Sequence, residues 1–140
     1  MSNPLVGTWK LVTFEFRASD GTVSYPFGPE ALGYIIYSAD GYMSAALMAD
    51  ARPNFPTDDL RGASTEDKAA AFDTHLSYSG RYEVHEGRVV HHPDVGTFPN
   101  WVGMAQERFI EIKGGVLSIS TPPMVVDGVE GRSYLVWARP

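Results

Sequence analysis

The sequence predicts an all-β protein, an antiparallel up-and-down closed β-barrel of about eight strands with one short helix near residues 65–75. Three observations carry this. Runs rich in β-branched and aromatic residues recur at short intervals, each bounded by Gly, Asp or Pro. A single stretch has the chemistry of a helix start, whereas a parallel sheet needs a helix between successive strands. The 140 residues suffice for one domain with one core, so 1–140 is read as a single unit.

In chain order, residues 5–16 (LVGTWKLVTFEF) form the first strand, long enough to bend and serve two parts of a sheet. Ser19-Asp20-Gly21-Thr22 is a turn, Val23–Tyr25 a short strand, and Pro26-Phe27-Gly28-Pro29 a loop. Residues 32–38 and 42–48 flank Ala39-Asp40-Gly41, the strongest hairpin signal in the chain, because Asp-Gly supplies the positive backbone angles of a tight turn. Residues 49–63, rich in Pro, Asp and Arg, are read as an irregular surface loop and a flap over an opening. The helix follows: Ser64 and Thr65 offer capping hydroxyls, Glu66 and Asp67 place acids in the first turn, and Ala69–Phe72 continue it.

The middle of the chain holds two strands, Tyr78–His85 and Arg88–Val95, around a Glu86-Gly87 turn. Pro93 cannot donate to a ladder, so the second strand is expected to end or lie at an edge there. Residues 96–103 (GTFPNWVG) read as a loop with a large apolar surface, Met104–Lys113 as the next strand. Gly114-Gly115 turns into Val116–Thr121, which Pro122-Pro123 ends. Asp127–Gly131 is a turn region, and residues 132–139 make the last strand.

Side chains alternate along a strand, so parity sorts them. Met104, Gln106, Arg108, Ile110 and Ile112 share the face that reads as interior. An inward Arg is costly unless it is paired and hydrogen-bonded. Gln106 and Arg108 therefore mark either a polar feature in a cavity or an arginine at the barrel mouth paired with an exposed acid. His91 and His92 point to opposite faces, and their Val neighbours leave open which one is inside. An inward His is most often structural, but it is also the natural acid/base group near neutral pH. Small residues in 42–48 leave room for a ligand or for close packing.

Composition sets limits. Hydrophobic residues make up 44% and charged residues 20%, with a net charge of −6 and no basic patch, so nucleic acid is not an expected partner. Cysteine is absent, which excludes disulfides, thiolate nucleophiles and Cys-based metal sites and fits a reducing cytosol. The first residues, MSNPLVGTWKL, lack the pattern of a signal peptide, and no run approaches the ~18 apolar residues of a membrane span. A cytoplasmic protein without membrane association is the expectation.

The stretches LVGTWKLVTFEF, GYIIYSADGYMSA, YSGRYEV, VVHHPDVGTFPNWVG and QERFIEIKGGVLSIST resemble the lipocalin-like domain family of intracellular bacterial and fungal barrels, over nearly the full length. Gly7-Thr8-Trp9 near the start and Arg139 at the end resemble the lipocalin pattern of a strand-one Gly-x-Trp packed against a terminal arginine. The resemblance assigns Trp9 and Arg139 to closure of one barrel end, an indole covered by a guanidinium. It implies an accessory protein beside biosynthetic genes, with isomerases or cyclases among related barrels.

The leading functional expectation is a carrier that binds a small hydrophobic or polyketide-like molecule in the barrel, contacted by Tyr34, Tyr82, Asn100, Trp101, Gln106, Arg108 and Trp137. The alternative is a cofactor-independent isomerase or cyclase, with His91 or His92 as acid/base and Arg108, Gln106 and Asn100 polarising an oxygen. In a third reading the aromatic residues fill the barrel and its long apolar strands form a homodimer face. His85, His91 and His92 are close in sequence, but His-x₅-His-His is not a zinc spacing, so neither metal nor cofactor is expected. No Gly-x-Ser-x-Gly elbow is present.

Overall fold

The computed structural model describes residues 3–140. The chain runs through β1 (Gly7–Ala18), β2 (Val23–Ser24), β3 (Leu32–Tyr37), β4 (Tyr42–Met48), α1 (Thr65–Asp73), β5 (His75–His85), β6 (Arg88–Gly96), β7 (Gln106–Lys113), β8 (Val116–Ser120), β9 (Met124–Val126) and β10 (Val129–Ala138), with a 3₁₀ turn at Pro99–Trp101. Every strand pairing is antiparallel. The order β1-β3-β4-β5-β6-β7-β8-β10 returns to β1, which closes an eight-stranded barrel; β2 and β9 add short flanking pairs.

β1 makes the closure possible. Its first half pairs with β3 (Gly7↔Tyr37 to Lys10↔Tyr34), and it pairs with β10 from Lys10↔Ala138 to Ala18↔Gly131. An irregularity between Leu11 and Thr13 lets one strand serve both neighbours and bends it. Closure leaves no long sheet edge, the usual liability of an antiparallel sheet.

Alternation fills the interior. Trp9, Leu11, Phe14, Ile35, Tyr37, Met43, Ala45, Leu47, Val89, Leu117, Ile119 and Trp137 form one buried cluster. One end is shut by the chain termini. The Arg139 guanidinium covers the Trp9 ring at 3.7 Å, while Trp9 Nε1 donates to Leu5 O at 2.9 Å. That is the closure expected for Trp9 and Arg139.

Several local expectations need correction. β6 does not stop at Pro93 but runs on to Gly96. Its ladder with β7 ends at His91↔Gln106, so Pro93 pairs only with β5 and lies at an edge, the other half of the expectation. β7 begins at Gln106, not Met104. The region 127–131 is not one broad turn: Asp127 (φ 51°) and Gly128 (φ 76°) make a two-residue hairpin turn between β9 and β10. The helix is shorter than expected, Thr65–Asp73, with the Ser64 hydroxyl accepting from Asp67 N. No residue of 49–63 lines the cavity. Arg52 instead ties this segment to the helix end, donating to Ala71 O and Thr74 Oγ1. No helix among the described residues is long and apolar enough to cross a membrane.

Candidate functional site

The barrel holds a cavity of about 460 Å³. Phe14, Ile35, Leu47, Leu76, Ile119 and Leu135, each from a different strand, give it apolar walls. Trp137 lines it towards the closed end. Phe72 of α1, Phe98, Trp101 and the Met124–Asp127 segment frame its mouth. Trp101 stands edge-on to both Phe98 and Tyr78, at 5.5 and 5.6 Å between ring centroids.

One polar cluster interrupts these walls, built from three adjacent strands and one opposite. His91 of β6 points inward and is 1% exposed. The Tyr37 hydroxyl from β3 lies 2.7 Å from its Nε2, and the Tyr78 hydroxyl from β5 lies 2.7 Å from its Nδ1. Both ring nitrogens are therefore occupied. Burial, reinforced by the nearby positive charge of Arg108, depresses the His91 pKa to about 3 and keeps the ring neutral. A neutral imidazole carries one proton, so one tyrosine donates to it and the other accepts from it. Burial also pushes the Tyr37 and Tyr78 hydroxyls above the usual phenol value, while Arg108 opposes this at both.

Arg108 is only 6% exposed. Its Nη1 donates to Glu107 O at 2.9 Å and its Nη2 to Gln106 Oε1 at 3.5 Å, and the guanidinium sits 5.5 Å from the Trp101 ring. The Glu107 carboxylate is engaged with Arg88 at 3.1 Å. Among the described residues no carboxylate forms a salt bridge with Arg108. The guanidinium thus lines the cavity, and the reading of a mouth arginine paired with an acid does not hold.

The structure gathers some expected site residues and separates others. Arg108, Trp101, Trp137 and His91 all line the cavity. Gln106 lies behind Arg108 and supports it. Tyr82 is interior but sits below the cavity, donating to Ser38 O at 2.7 Å and packing edge-on against Tyr37. Tyr34 is on the outer surface, 47% exposed, because the inward register of β3 belongs to Ile35 and Tyr37. Asn100 is exposed in the 3₁₀ turn. His92 points outward to Glu83 at 3.4 Å, and His85 approaches the same carboxylate at 3.7 Å. The barrel wall therefore separates the histidines, and among the described residues no three His, Asp or Glu side chains converge as metal ligands. Tyr37 and Tyr78 were not singled out in the sequence. Their signal was parity, since Tyr78 lies two positions from Gly80 and four from Tyr82 on one face of β5.

Fold and cavity together define an antiparallel barrel suited to enclosing a small ligand. The chain belongs to the lipocalin-like domain family, whose model matches residues 6–140. Its sequence is 36% identical to the 4'-hydroxy-3'-methoxypropiophenone carrier protein ppsC of Aspergillus oryzae, in an alignment covering 69% of this chain and 96% of that protein. A lipocalin-like protein from Bacteroides uniformis has the same fold, with a TM-score of 0.51 at 13% identity, covering 99% of this chain and 100% of the other. A variant of the fluorescent protein UnaG superposes more loosely, with a TM-score of 0.37 at 16% identity over 96% of each chain.

Proposed function

We propose that this barrel binds a small, mainly apolar molecule of the aryl-ketone or polyketide type and carries it as an accessory protein of a biosynthetic route. The observation that carries this reading is the cavity, apolar on its walls and polar at one cluster, with a volume of about 460 Å³. Ligand pockets run from roughly 300 to 1,000 Å³ with few, placed polar groups. The Aspergillus oryzae relative, a carrier of a methoxylated phenolic ketone, supports the ligand class.

Carriage is favoured over isomerisation or cyclisation by the state of His91. A general base must reach the proton it removes. Both His91 nitrogens are held by tyrosines, and burial keeps the ring from accepting a further proton. His92 is on the wrong side of the wall.

The test is titration with 4-hydroxyphenyl alkyl ketones, followed by tryptophan fluorescence, since Trp101 and Trp137 line the cavity. Saturable one-to-one quenching, with the ketone recovered unchanged, is expected. Chemical conversion of the ketone would establish the isomerase or cyclase reading instead. Absence of saturable binding across the series would remove the carrier reading.

A further inference from the structure

We propose that the cavity takes its ligand as an organic anion, with the charged oxygen of a phenolate, carboxylate or enolate set against the guanidinium of Arg108. The proposal rests on the ligand-binding reading above and narrows it.

The first observation is an unpaired charge. Arginine remains protonated in proteins. Arg108 is nearly fully buried, and among the described residues no carboxylate bridges to it. Its partners are all neutral: it donates to Glu107 O and Gln106 Oε1 on its own strand and reaches the Tyr78 hydroxyl of β5. A buried cation without a counter-ion is expensive, and removing one partner of a buried pair is strongly unfavourable. An anion entering the cavity supplies the missing partner.

The second observation is the chemistry of the surrounding wall. Phe14, Ile35, Leu47, Ile119 and Leu135 make the rest of the cavity apolar, so the guanidinium is a cationic fork in a poorly hydrated pocket. That setting suits an anionic oxygen carried on an otherwise apolar ligand. The inward groups around Arg108 leave no competing charge. Tyr37, Tyr78 and His91 face it from β3, β5 and β6, and all three are held neutral by burial. Trp101 covers it, and Asp127 is exposed at the rim. The cavity side chains facing Arg108 thus keep one protonation state between about pH 5 and 8, and any pH dependence of binding there reports the ligand.

The experiment uses the full chain and 4-hydroxyacetophenone, with 4-methoxyacetophenone as the analogue that cannot ionise. The bound phenol is expected to show its phenolate absorption band at a pH where the free phenol is neutral. Its Kd should fall about tenfold per pH unit on approach to the phenol's own pKa, then level off. The methyl ether should bind about tenfold or more weakly at that plateau, without pH dependence. Arg108→Met should weaken the phenol about tenfold or more and leave the ether within about twofold. Benzoate and a 1,3-diketone then establish which anion is preferred. A bound phenol that keeps its neutral spectrum, with a pH-independent Kd, overturns the proposal and leaves the carrier reading standing. Failure of ketones, benzoate and diketone alike to bind removes both. The wild-type spectrum decides the matter even if Arg108→Met does not fold.

Discussion

The guanidinium of Arg139 lies over the indole of Trp9 at 3.7 Å and donates to the carbonyls of Pro4, Val6 and Thr8, so the last turn of chain seals the first. A Cβ on Gly7 would lie 2.7 Å from Arg139 Nη1, and Gly7 has a φ of +118°. The backbone favours glycine there, and a Cβ would push the Arg139 guanidinium from its seat.

This seal predicts a stability effect at a distance from the cavity. Arg139→Ala should lower unfolding stability by about 2 kcal/mol, combining a lost cation–π contact with uncapped carbonyls. Arg139→Lys should recover only part of it, because an ammonium lacks the planar fork. Gly7→Ala should cost at least as much. Urea denaturation followed by tryptophan fluorescence measures all three, and wild-type stability in Arg139→Ala would show that the seal contributes nothing.

His91 predicts a pH dependence. Its pKa is about 3 when folded and near 6.5 when unfolded. Below about pH 6.5 the unfolded chain takes up a proton that the folded chain refuses, so stability falls as pH drops towards 3, by at most about 1.4 kcal/mol per unit from this group. His75, lowered by burial and by Arg52, acts in the same direction. Unfolding free energies measured between about pH 6.5 and 5 should therefore decline in the wild type and decline less steeply in His91→Gln. Equal slopes would mean that His91 is not buried as a neutral ring.

Gly80 predicts a backbone limit. The β5–β6 register shifts between Ser79 and Gly80, and a Cβ on Gly80 would clash with the backbone oxygen of His92. That oxygen belongs to the strand carrying His91 and cannot yield as a flexible side chain would. Gly80→Ala should destabilise by more than about 2 kcal/mol or prevent folding. A thermal midpoint within a degree or two of wild type would contradict it.

Two aromatic substitutions separate inside from outside. Trp101→Ala removes the cover over Arg108 and should weaken ketone binding about tenfold or more, with little loss of barrel stability, since it sits in a 3₁₀ turn at the mouth. Tyr34→Ser, on the outer face, should leave Kd unchanged. Isothermal titration of both variants provides the comparison, and the reverse pattern would place the ligand outside the barrel.

Much of the barrel was legible because its signals are local. The Asp40-Gly41 and Glu86-Gly87 turns, the alternation in β7 and the capping residues of α1 each act within a few residues. Arg108 was placed inside by parity alone. The tie between His91 and His92 could not be broken locally, because each shares its parity with a valine; the cross-strand pairing of Tyr82 with His91 decides it. Tyr34 was expected inside because Leu32, Tyr34 and Ile36 form as apolar a row as Gly33, Ile35 and Tyr37, and β3 simply shows its apolar outer row to solvent. β9 went unread because three residues between Pro123 and Asp127 leave too short a period to count.

The chain Tyr37–His91–Tyr78 has a further consequence. With one proton on the imidazole, its hydrogen bonds run in one of two senses, and all must reverse together. When Tyr78 gives its proton to a guest in the cavity, it must accept from His91 Nδ1–H, and His91 Nε2 must then accept from Tyr37. Tyr37 packs against Tyr82, which bonds to Ser38 at the sealed end. The two senses of this chain therefore differ in proton position at each hydroxyl it links, from Tyr78 on the cavity wall to Tyr37 near the sealed end.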